Sequence, residues 1–171
     1  MVDRLKAVVP SLLNIRVKRV PVEPTIAGYE LLFDMNGAEG IPAIAVSEGT
    51  LLTLGLLTAL SMKDTPQVVL IDELERSLHP KALGELVQQI RRLQEQDPTL
   101  QVVATSHSPY LLDHLQPEEV LLTSLSEEGH AVVRPLTQHP DYERWKDLMA
   151  PGEFWSTVGE GWITQEKKAT A

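Results

Sequence analysis

Two neighbouring carboxylates follow a short apolar run in the middle of the sequence. Asp72 and Glu73 come directly after Gln67 to Ile71, a run typical of a strand covered on both faces in a parallel sheet. Ligands bind where such strands end. There Asp72 would hold Mg²⁺, and Glu73 would polarise a water molecule that attacks a phosphate. A solvated strand end is the alternative, and these residues alone favour neither.

A second apolar run, Gln101 to Thr105, leads into Ser106 and His107. If the two runs are parallel strands, His107 and the acidic pair lie at the same edge of the sheet. An imidazole can donate a hydrogen bond to a phosphate oxygen and so register whether a γ-phosphate is present. A lone loop histidine is more often structural or merely exposed. Its position after the acidic pair favours the functional interpretation.

The third candidate is the segment that precedes a leucine-rich run, Ser47, Glu48, Gly49 and Thr50. A serine hydroxyl, a glycine that permits close backbone approach and the positive end of a helix dipole together form an anion site. Taken alone the pattern is weak. The same residues fit an ordinary helix start, with Ser47 as the N-cap and Glu48 in the first turn.

The chain before this segment is predicted to form a short helix and a small antiparallel meander. The helix runs from Val2 to about Leu13 with a break at Pro10, and an extended stretch covers Asn14 to Val22. A strand follows from Tyr29 to Met35, then a turn at Asn36-Gly37 and an extended piece from Ile41 to Val46. This part is interpreted as an accessory sheet.

The central elements alternate between helix and strand. A helix from Thr50 to about Met62 is apolar on most faces, and residues 63–66 end it. An amphipathic helix from Lys81 to Gln96 connects the two apolar runs. A strand, a helix and a second strand form a right-handed crossover unit, so the sequence predicts an α/β fold with a parallel sheet.

The remaining segments are predicted to complete one domain. A helix starts at Pro109 and runs to Leu115, a strand covers Glu119 to Thr123, and Ala131 to Leu136 pairs at an edge. Residues 165–171 form a frayed tail. Four aromatic residues are interpreted as packing anchors rather than base-stacking residues: Trp145, Phe154, Trp155 and Trp162.

Composition narrows the functional classes. The 171 residues include no cysteine, which excludes disulfides, thiolate nucleophiles and cysteine-based metal sites. A formal net charge of -9 disfavours a dedicated nucleic-acid wrapper, and the basic residues Arg16, Lys18 and Arg19 fit a solvated strand edge. No signal peptide or membrane span is recognisable, so we expect a cytoplasmic protein without a membrane partner.

Together these segments resemble the C-terminal lobe of ABC-type ATPase heads, in particular the AAA-like ATPases related to the OLD, RecF and SMC proteins. The resemblance covers roughly Leu5 to Leu122. It rests on the order of four motifs, Ser47-Glu48-Gly49-Thr50, Leu70-Ile71-Asp72-Glu73, Leu78-His79-Pro80 and Thr105-Ser106-His107-Ser108. It implies a P-loop NTPase-like fold that binds ATP and Mg²⁺.

The resemblance also implies a role for each motif. Asp72 would organise Mg²⁺, Glu73 would be the catalytic base and His107 the switch histidine facing the γ-phosphate. The signature segment, residues 47–50, would act in trans on the nucleotide of a second head, so a homodimer is expected. The family's dimer-contacting loop falls on Ser77, Leu78 and His79; for His79 the alternative is a helix-entry residue before Pro80.

The phosphate-binding loop of the family has no counterpart, because no Gly-x-x-x-x-Gly-Lys-Ser/Thr run occurs in the sequence. We therefore expect a single partial ATPase domain over residues 1–164, made of an accessory segment (1–46), a core (47–123) and an extension (124–164). An N-terminal Walker A half, in the same or a separate chain, would complete it. Without that half, the strand before His107 would keep an unpaired apolar edge.

Two other functional classes were weighed. A split or degenerate head could bind and regulate an intact ATPase without hydrolysing ATP itself. A nuclease is disfavoured because too few residues follow Leu122 and the acids there resemble surface residues. DNA and partners in repair or defence remain open, since the fold is used in several processes.

Overall fold

The computed structural model describes residues 1–23, 26–62 and 67–164. Two predictions fall outside these ranges, the helix end at residues 63–66 and the frayed tail at residues 165–171. The chain divides into two compact units, Met1–Ser106 and His107–Ala171.

The first unit begins with helix α1 (Val2–Val8) and an antiparallel three-stranded sheet. In chain order its strands are β1 (Leu12–Glu23), β2 (Ile26–Met35) and β3 (Ala38–Pro42). The predicted meander is confirmed, and Gly37 takes the left-handed backbone that its turn requires, with a φ of 82°. The basic residues of β1 are exposed, as predicted.

Two boundaries in this region were predicted wrongly. Helix α1 ends at Val8, where the Val9 amide closes the last turn on the Leu5 carbonyl oxygen at 2.8 Å. Residues 43–45 form a 3-10 turn, closed by the Val46 amide on the Ala43 carbonyl oxygen at 3.1 Å, whereas the sequence predicted extended backbone from Ile41 to Val46.

The central part of the first unit contains two helices and a short parallel sheet. Strands β4 and β5 pair in parallel from Val68 opposite Gln101 to Ile71 opposite Ala104, with a helix between them in the chain. This confirms the predicted strand, helix and strand unit. The elements are α2 (Glu48–Leu60), β4 (Val68–Ile71), α3 (Pro80–Gln96) and β5 (Gln101–Ala104).

Burial in the first unit is concentrated between the helices. Helices α1, α2 and α3 pack on one another, and α3 contributes the largest buried stripe, Leu83, Leu86, Val87, Ile90 and Leu93. Leu5 of α1 and Leu57 of α2 are fully buried beside them. The amphipathic pattern predicted for α3 is therefore the pattern that builds this core.

The predicted burial of both parallel strands is wrong for this chain. Leu70 is 76% exposed, Val103 57% and Val68 49%. Within the described ranges, β5 pairs with β4 alone, so this sheet has two strands. Its apolar side chains are suited to a wider sheet that is covered on both faces. As a result, β4 and β5 form an apolar surface that is exposed to solvent in this chain.

Over residues 107–164, the second unit contains a two-stranded antiparallel sheet and three short α-helices. Its elements are α4 (Pro109–Leu112), β6 (Leu121–Leu125), β7 (Ala131–Pro135), α5 (Tyr142–Trp145) and α6 (Pro151–Val158). Strand β6 pairs with β7, as predicted for the edge segment. The strand starts later than predicted because residues 117–119 form a 3-10 turn, whose Glu119 carboxylate accepts a hydrogen bond from the Gln116 amide at 2.7 Å. Helix α4 ends at Leu112, before the predicted Leu115.

The core cluster of the second unit combines aliphatic residues with two buried aromatic residues. The rings of Trp145 and Phe154 stack with centroids 4.0 Å apart, and both residues are 4% exposed. Trp155 and Trp162 pack against the same cluster. The prediction that these four residues are packing anchors is confirmed.

The His139 ring, whose edge contacts the rings of Phe154 and Trp162, is expected to make this unit less stable in acid. Burial lowers the pKa of His139, and the charge of Asp141 opposes this only in part. Protonation would also remove the Nδ1 lone pair that accepts a hydrogen bond from the Asp141 amide at 3.0 Å. Because the unfolded chain takes up this proton more readily, the stabilisation is complete above the ordinary histidine pKa and is lost as pH falls below it.

The measurement is the thermal midpoint followed by tryptophan fluorescence, which reports this unit because all three tryptophans lie in it. Between about pH 7 and about pH 5, the midpoint of the wild type should fall more than that of His139→Gln. His130→Gln, at an exposed histidine of the β6–β7 turn, is the matched control and should follow the wild type. Equal pH dependence in all three proteins would contradict this assignment.

Candidate functional site

Thr105 joins the acidic pair to the neighbouring strand. Its Oγ1 donates a hydrogen bond to Asp72 Oδ1 at 2.6 Å and accepts one from the Glu73 amide at 2.9 Å. The Leu74 amide also donates to the Thr105 carbonyl oxygen, at 3.1 Å. Strands β4 and β5 therefore deliver the two carboxylates and one hydroxyl to one edge of the sheet, as the spacing predicted for the carboxylates.

Thr105 was not singled out as a site residue from the sequence. The available signal was a hydroxyl residue at the last position of the second apolar run, opposite the acids that follow the first. A threonine at a strand end is common, and only the register of the parallel pair, Ile71 opposite Ala104, identifies its partners.

Thr105→Val is expected to loosen the backbone at the acidic pair, because valine keeps the shape of the side chain and loses both hydrogen bonds. Amide hydrogen exchange at Glu73 should become about threefold to tenfold faster, the range for loss of one hydrogen bond. Thr105→Ser keeps the hydroxyl and should stay close to the wild type. Equal exchange in the valine and serine variants would count against the bridge.

The loop that follows the acidic pair returns to the start of helix α2. The Ser77 hydroxyl donates to Glu48 Oε2 at 2.6 Å, and Arg76 Nη2 lies 4.0 Å from Glu48 Oε1. A Cβ atom on Gly49 would overlap the Ser77 carbonyl oxygen and would lie 3.2 Å from Leu78 Cδ2. The predicted signature segment and the predicted dimer-contact loop are thus neighbours within one chain. Arg76, which the sequence did not single out, belongs to the same group.

Ser47 caps helix α2. Its Oγ accepts a hydrogen bond from the Thr50 amide at 3.3 Å and lies 2.8 Å from Thr50 Oγ1. Ser47 and Glu48 are exposed, while Gly49 and Thr50 are buried. The ordinary helix-start interpretation therefore describes the contacts within this chain, and a phosphate-binding role for the segment stays a prediction.

A cavity of about 340 Å³ lies in the first unit beside the acidic pair. It is lined by Glu48 and Leu52 of α2, by Asp72 and Glu73, and by Leu86 of α3, among others. Its wall combines acidic and apolar side chains. The carboxylates of Asp72 and Glu73 therefore lie next to an accessible recess in the protein.

The two candidate histidines differ in position. His79 is the N-cap of α3, and its Nδ1 accepts a hydrogen bond from the Lys81 amide at 3.2 Å, which matches the helix-entry alternative. His107 is exposed and is the first residue of the second unit. Contact of His79 with a second head and of His107 with a phosphate both stay predictions.

The donor set near Asp72 fits Mg²⁺ bound together with a nucleotide. Among residues 1–23, 26–62 and 67–164, no three His, Asp or Glu side chains come close enough together to hold a metal ion. Mg²⁺ commonly binds through one or two carboxylates, with phosphate and water oxygens completing its octahedron. Asp72, with one oxygen fixed by Thr105, supplies a carboxylate of that kind.

Comparison with known proteins identifies the family of the chain. Residues 4–113, which include the acidic pair, Thr105 and both candidate loops, match the family described as "AAA domain, putative AbiEii toxin, Type IV TA system". The chain belongs to this AAA family. The proposed likeness to AAA-like and ABC-type ATPases is therefore confirmed at the level of the family.

This AAA-family chain is similar to one curated protein in sequence and to one solved structure in fold. The Septu protein PtuA of Bacillus thuringiensis is 29% identical over 77 residues, which are 45% of this chain and 19% of that protein. The chain thus matches about a fifth of the length of this curated relative. A chain from a structural study of "ATP-driven dimerization and DNA stimulated activation of SMC ATPases" superposes with a TM-score of 0.62 at 14% identity, covering 85% of this chain and 86% of that chain. The mixed α/β fold of an SMC-type ATPase head is confirmed.

Every helix in the described ranges is too short or too polar to cross a lipid bilayer. Between β1 and β2, Arg16 donates to both oxygens of Asp34, at 2.6 and 2.8 Å, and this pairing lowers the pKa of Asp34. One of the three basic residues of β1 is thus neutralised by its neighbouring strand.

Proposed function

We propose that this AAA-family chain contributes the hydrolytic half of an ATPase site, which acts on Mg²⁺-bound ATP. The observation that carries the proposal is the Thr105 bridge, which fixes Asp72 and the Glu73 backbone at one sheet edge beside an accessible cavity. A solvated pair of acids needs no such bridge. Membership of an AAA family supports a nucleotide as the ligand.

Each residue has a defined task in this proposal. Asp72 holds Mg²⁺, which when bound neutralises phosphate charge. Glu73 accepts a proton from the attacking water, and His107 donates a hydrogen bond to the γ-phosphate. In this scheme the chain supplies the metal ligand and the proton acceptor, while the cradle for the phosphates comes from elsewhere.

The cradle is assigned to an N-terminal Walker A lobe, in the same or a separate chain. The sequence contains no phosphate-loop motif, and the exposed side chains of Leu70 and Val103 give that lobe an apolar surface to cover. One further strand beside β5, which in the described ranges pairs with β4 alone, would extend the parallel sheet. The chain is accordingly proposed to be a partial ATPase domain over residues 1–164, with little ATP affinity by itself.

Dimerisation of heads is the second requirement. In this proposal Ser47 and Gly49 of one head face the ATP held by the other, and the loop at Ser77, Leu78 and His79 lies at the contact. The SMC ATPases of the matching fold are described as dimerising with ATP and as stimulated by DNA, which supports a homodimer and keeps DNA among the candidate partners. The family description, which names a toxin and a type IV TA system, favours a partner in a toxin–antitoxin system.

The test is reconstitution. The chain, purified with a phosphate-loop lobe fused or added, should hydrolyse Mg²⁺-bound ATP, and the isolated chain should bind ATP weakly or not at all. Absence of hydrolysis in every such pairing, with both parts folded, would overturn the proposal.

The absence of a phosphate-loop motif in the sequence also supports a second candidate, a non-catalytic head that binds and regulates an intact ATPase. The two candidates differ in what Asp72, Glu73 and His107 do. The regulatory function would be favoured if the chain binds an intact head equally well after all three residues are substituted and the chain itself contributes no hydrolysis.

A further inference from the structure

The loop after the acidic pair contains two residues with left-handed backbone. Glu73 has a φ of 51° and Ser77 a φ of 57°, and in the described part of the chain they are the only non-glycine residues with positive φ. Residues with a Cβ atom rarely adopt this conformation, and it persists where the surrounding structure holds it.

The Glu73 end is held by strand β5. The Glu73 amide donates to Thr105 Oγ1 at 2.9 Å, and the Leu74 amide donates to the Thr105 carbonyl oxygen at 3.1 Å. Inside the loop, the Arg76 amide donates to the Glu73 carbonyl oxygen at 2.8 Å, and the Leu78 amide to the Glu75 carbonyl oxygen at 3.0 Å. The loop is thus a continuous hydrogen-bonded turn between its two left-handed residues.

The Ser77 end is held by helix α2. The Ser77 hydroxyl donates to Glu48 Oε2 at 2.6 Å, and the Ser77 carbonyl lies so close to Gly49 that a Cβ atom there would not fit. The ion pair of Glu48 with Arg76 is 4.0 Å long, and both side chains are more than half exposed, so it adds little. The hydrogen bond is the main side-chain link.

The direction of the Glu48 carboxylate is informative. A negative charge in the first turn of a helix is favourable by itself, but it opposes an anionic phosphate at the same helix end. Here the carboxylate turns to Ser77 and Arg76. It is therefore engaged within its own chain, while the Ser47 hydroxyl caps the helix by accepting from the Thr50 amide.

We infer that Glu48 is a positioning residue that ties the start of helix α2 to the loop carrying Glu73. A shift of this helix end then moves Ser77, and through the hydrogen-bonded turn it moves Glu73. The inference rests on the proposed function where it concerns hydrolysis. The mechanical link itself is a property of the chain without nucleotide.

The link is tested by amide hydrogen exchange on the isolated chain. In Glu48→Ala and in Ser77→Ala, exchange should become about threefold to tenfold faster at Leu78 and also at Leu74, whose amide donates to Thr105 rather than to Glu48. Glu48→Gln keeps an acceptor for the Ser77 hydroxyl and should recover most of the protection. Glu85→Ala, at an exposed glutamate of α3, is the matched control and should match the wild type.

The outcomes separate the inference from the proposed function. Faster exchange confined to α2 and Ser77, with Leu74 unchanged, would overturn the link whatever the activity. If Glu48→Ala does not fold, Ser77→Ala tests the same hydrogen bond by removing its donor. Once hydrolysis has been reconstituted, Glu48→Ala should lower kcat about threefold to tenfold with little change in KM, and Glu48→Gln should recover most of that loss. Unchanged kcat in Glu48→Ala would refute the positioning role even if exchange responds.

Discussion

Glu73→Gln should lower Mg²⁺-dependent ATP hydrolysis about 10²- to 10⁴-fold in the protein completed with a phosphate-loop lobe, the usual contribution of a positioned general base. Glutamine keeps the size of the side chain and cannot accept the proton of the attacking water. The Glu73 amide still donates to Thr105, so the backbone at the site should be unchanged. Steady-state release of phosphate measures the effect.

Nucleotide binding separates this loss from a loss of structure. Because Asp72 and its bond to Thr105 are retained in Glu73→Gln, binding of Mg²⁺ and ATP to the completed protein should persist. Glu85→Gln changes an exposed glutamate of α3 and should hydrolyse ATP like the wild type. If Glu73→Gln hydrolyses ATP like the wild type, Glu73 is not the proton acceptor and another group must take that role.

The elements around the site could be predicted because their sequence patterns are local. The apolar stripe of α3 recurs at helical spacing, and it is the stripe that is buried, from Leu83 to Leu93. The order of strand, acids, helix and second strand leaves few arrangements once crossovers are right-handed. The convergence of the Asp72 and Thr105 strand ends follows from that order.

The contacts that complete the site depend on information that no local pattern contains. An apolar run such as Val68 to Ile71 indicates that side chains are suited to burial, but not which chain covers them, and Leu70 is 76% exposed here. Left-handed backbone at Glu73 and Ser77 is uncommon for these residue types, so the loop that joins them to Glu48 had no sequence signal. The 3-10 turn at residues 43–45 was missed for a related reason, since alternating small and apolar residues fit a strand equally well.

Two glycines of helix α2 should respond in opposite directions to the same substitution. Gly49→Ala places a Cβ atom against the Ser77 carbonyl oxygen, which belongs to the backbone and cannot turn away, so the free energy of unfolding should fall by about 1–3 kcal/mol. Gly55 is exposed and has open space where its Cβ atom would lie. Gly55→Ala should raise the free energy of unfolding by about 0.5–1 kcal/mol, because alanine loses less backbone entropy in a helix.

Urea unfolding followed by far-ultraviolet circular dichroism measures both changes, since helices α1, α2 and α3 lie in the same unit as the two glycines. Tryptophan fluorescence is unsuitable here, because the tryptophans all belong to the second unit. If Gly49→Ala were as stabilising as Gly55→Ala, the Ser77 loop would have to move away from helix α2 at little cost. The close approach of the two segments would then be incidental, and only the hydrogen bond of Glu48 with Ser77 would support the link from α2 to Glu73.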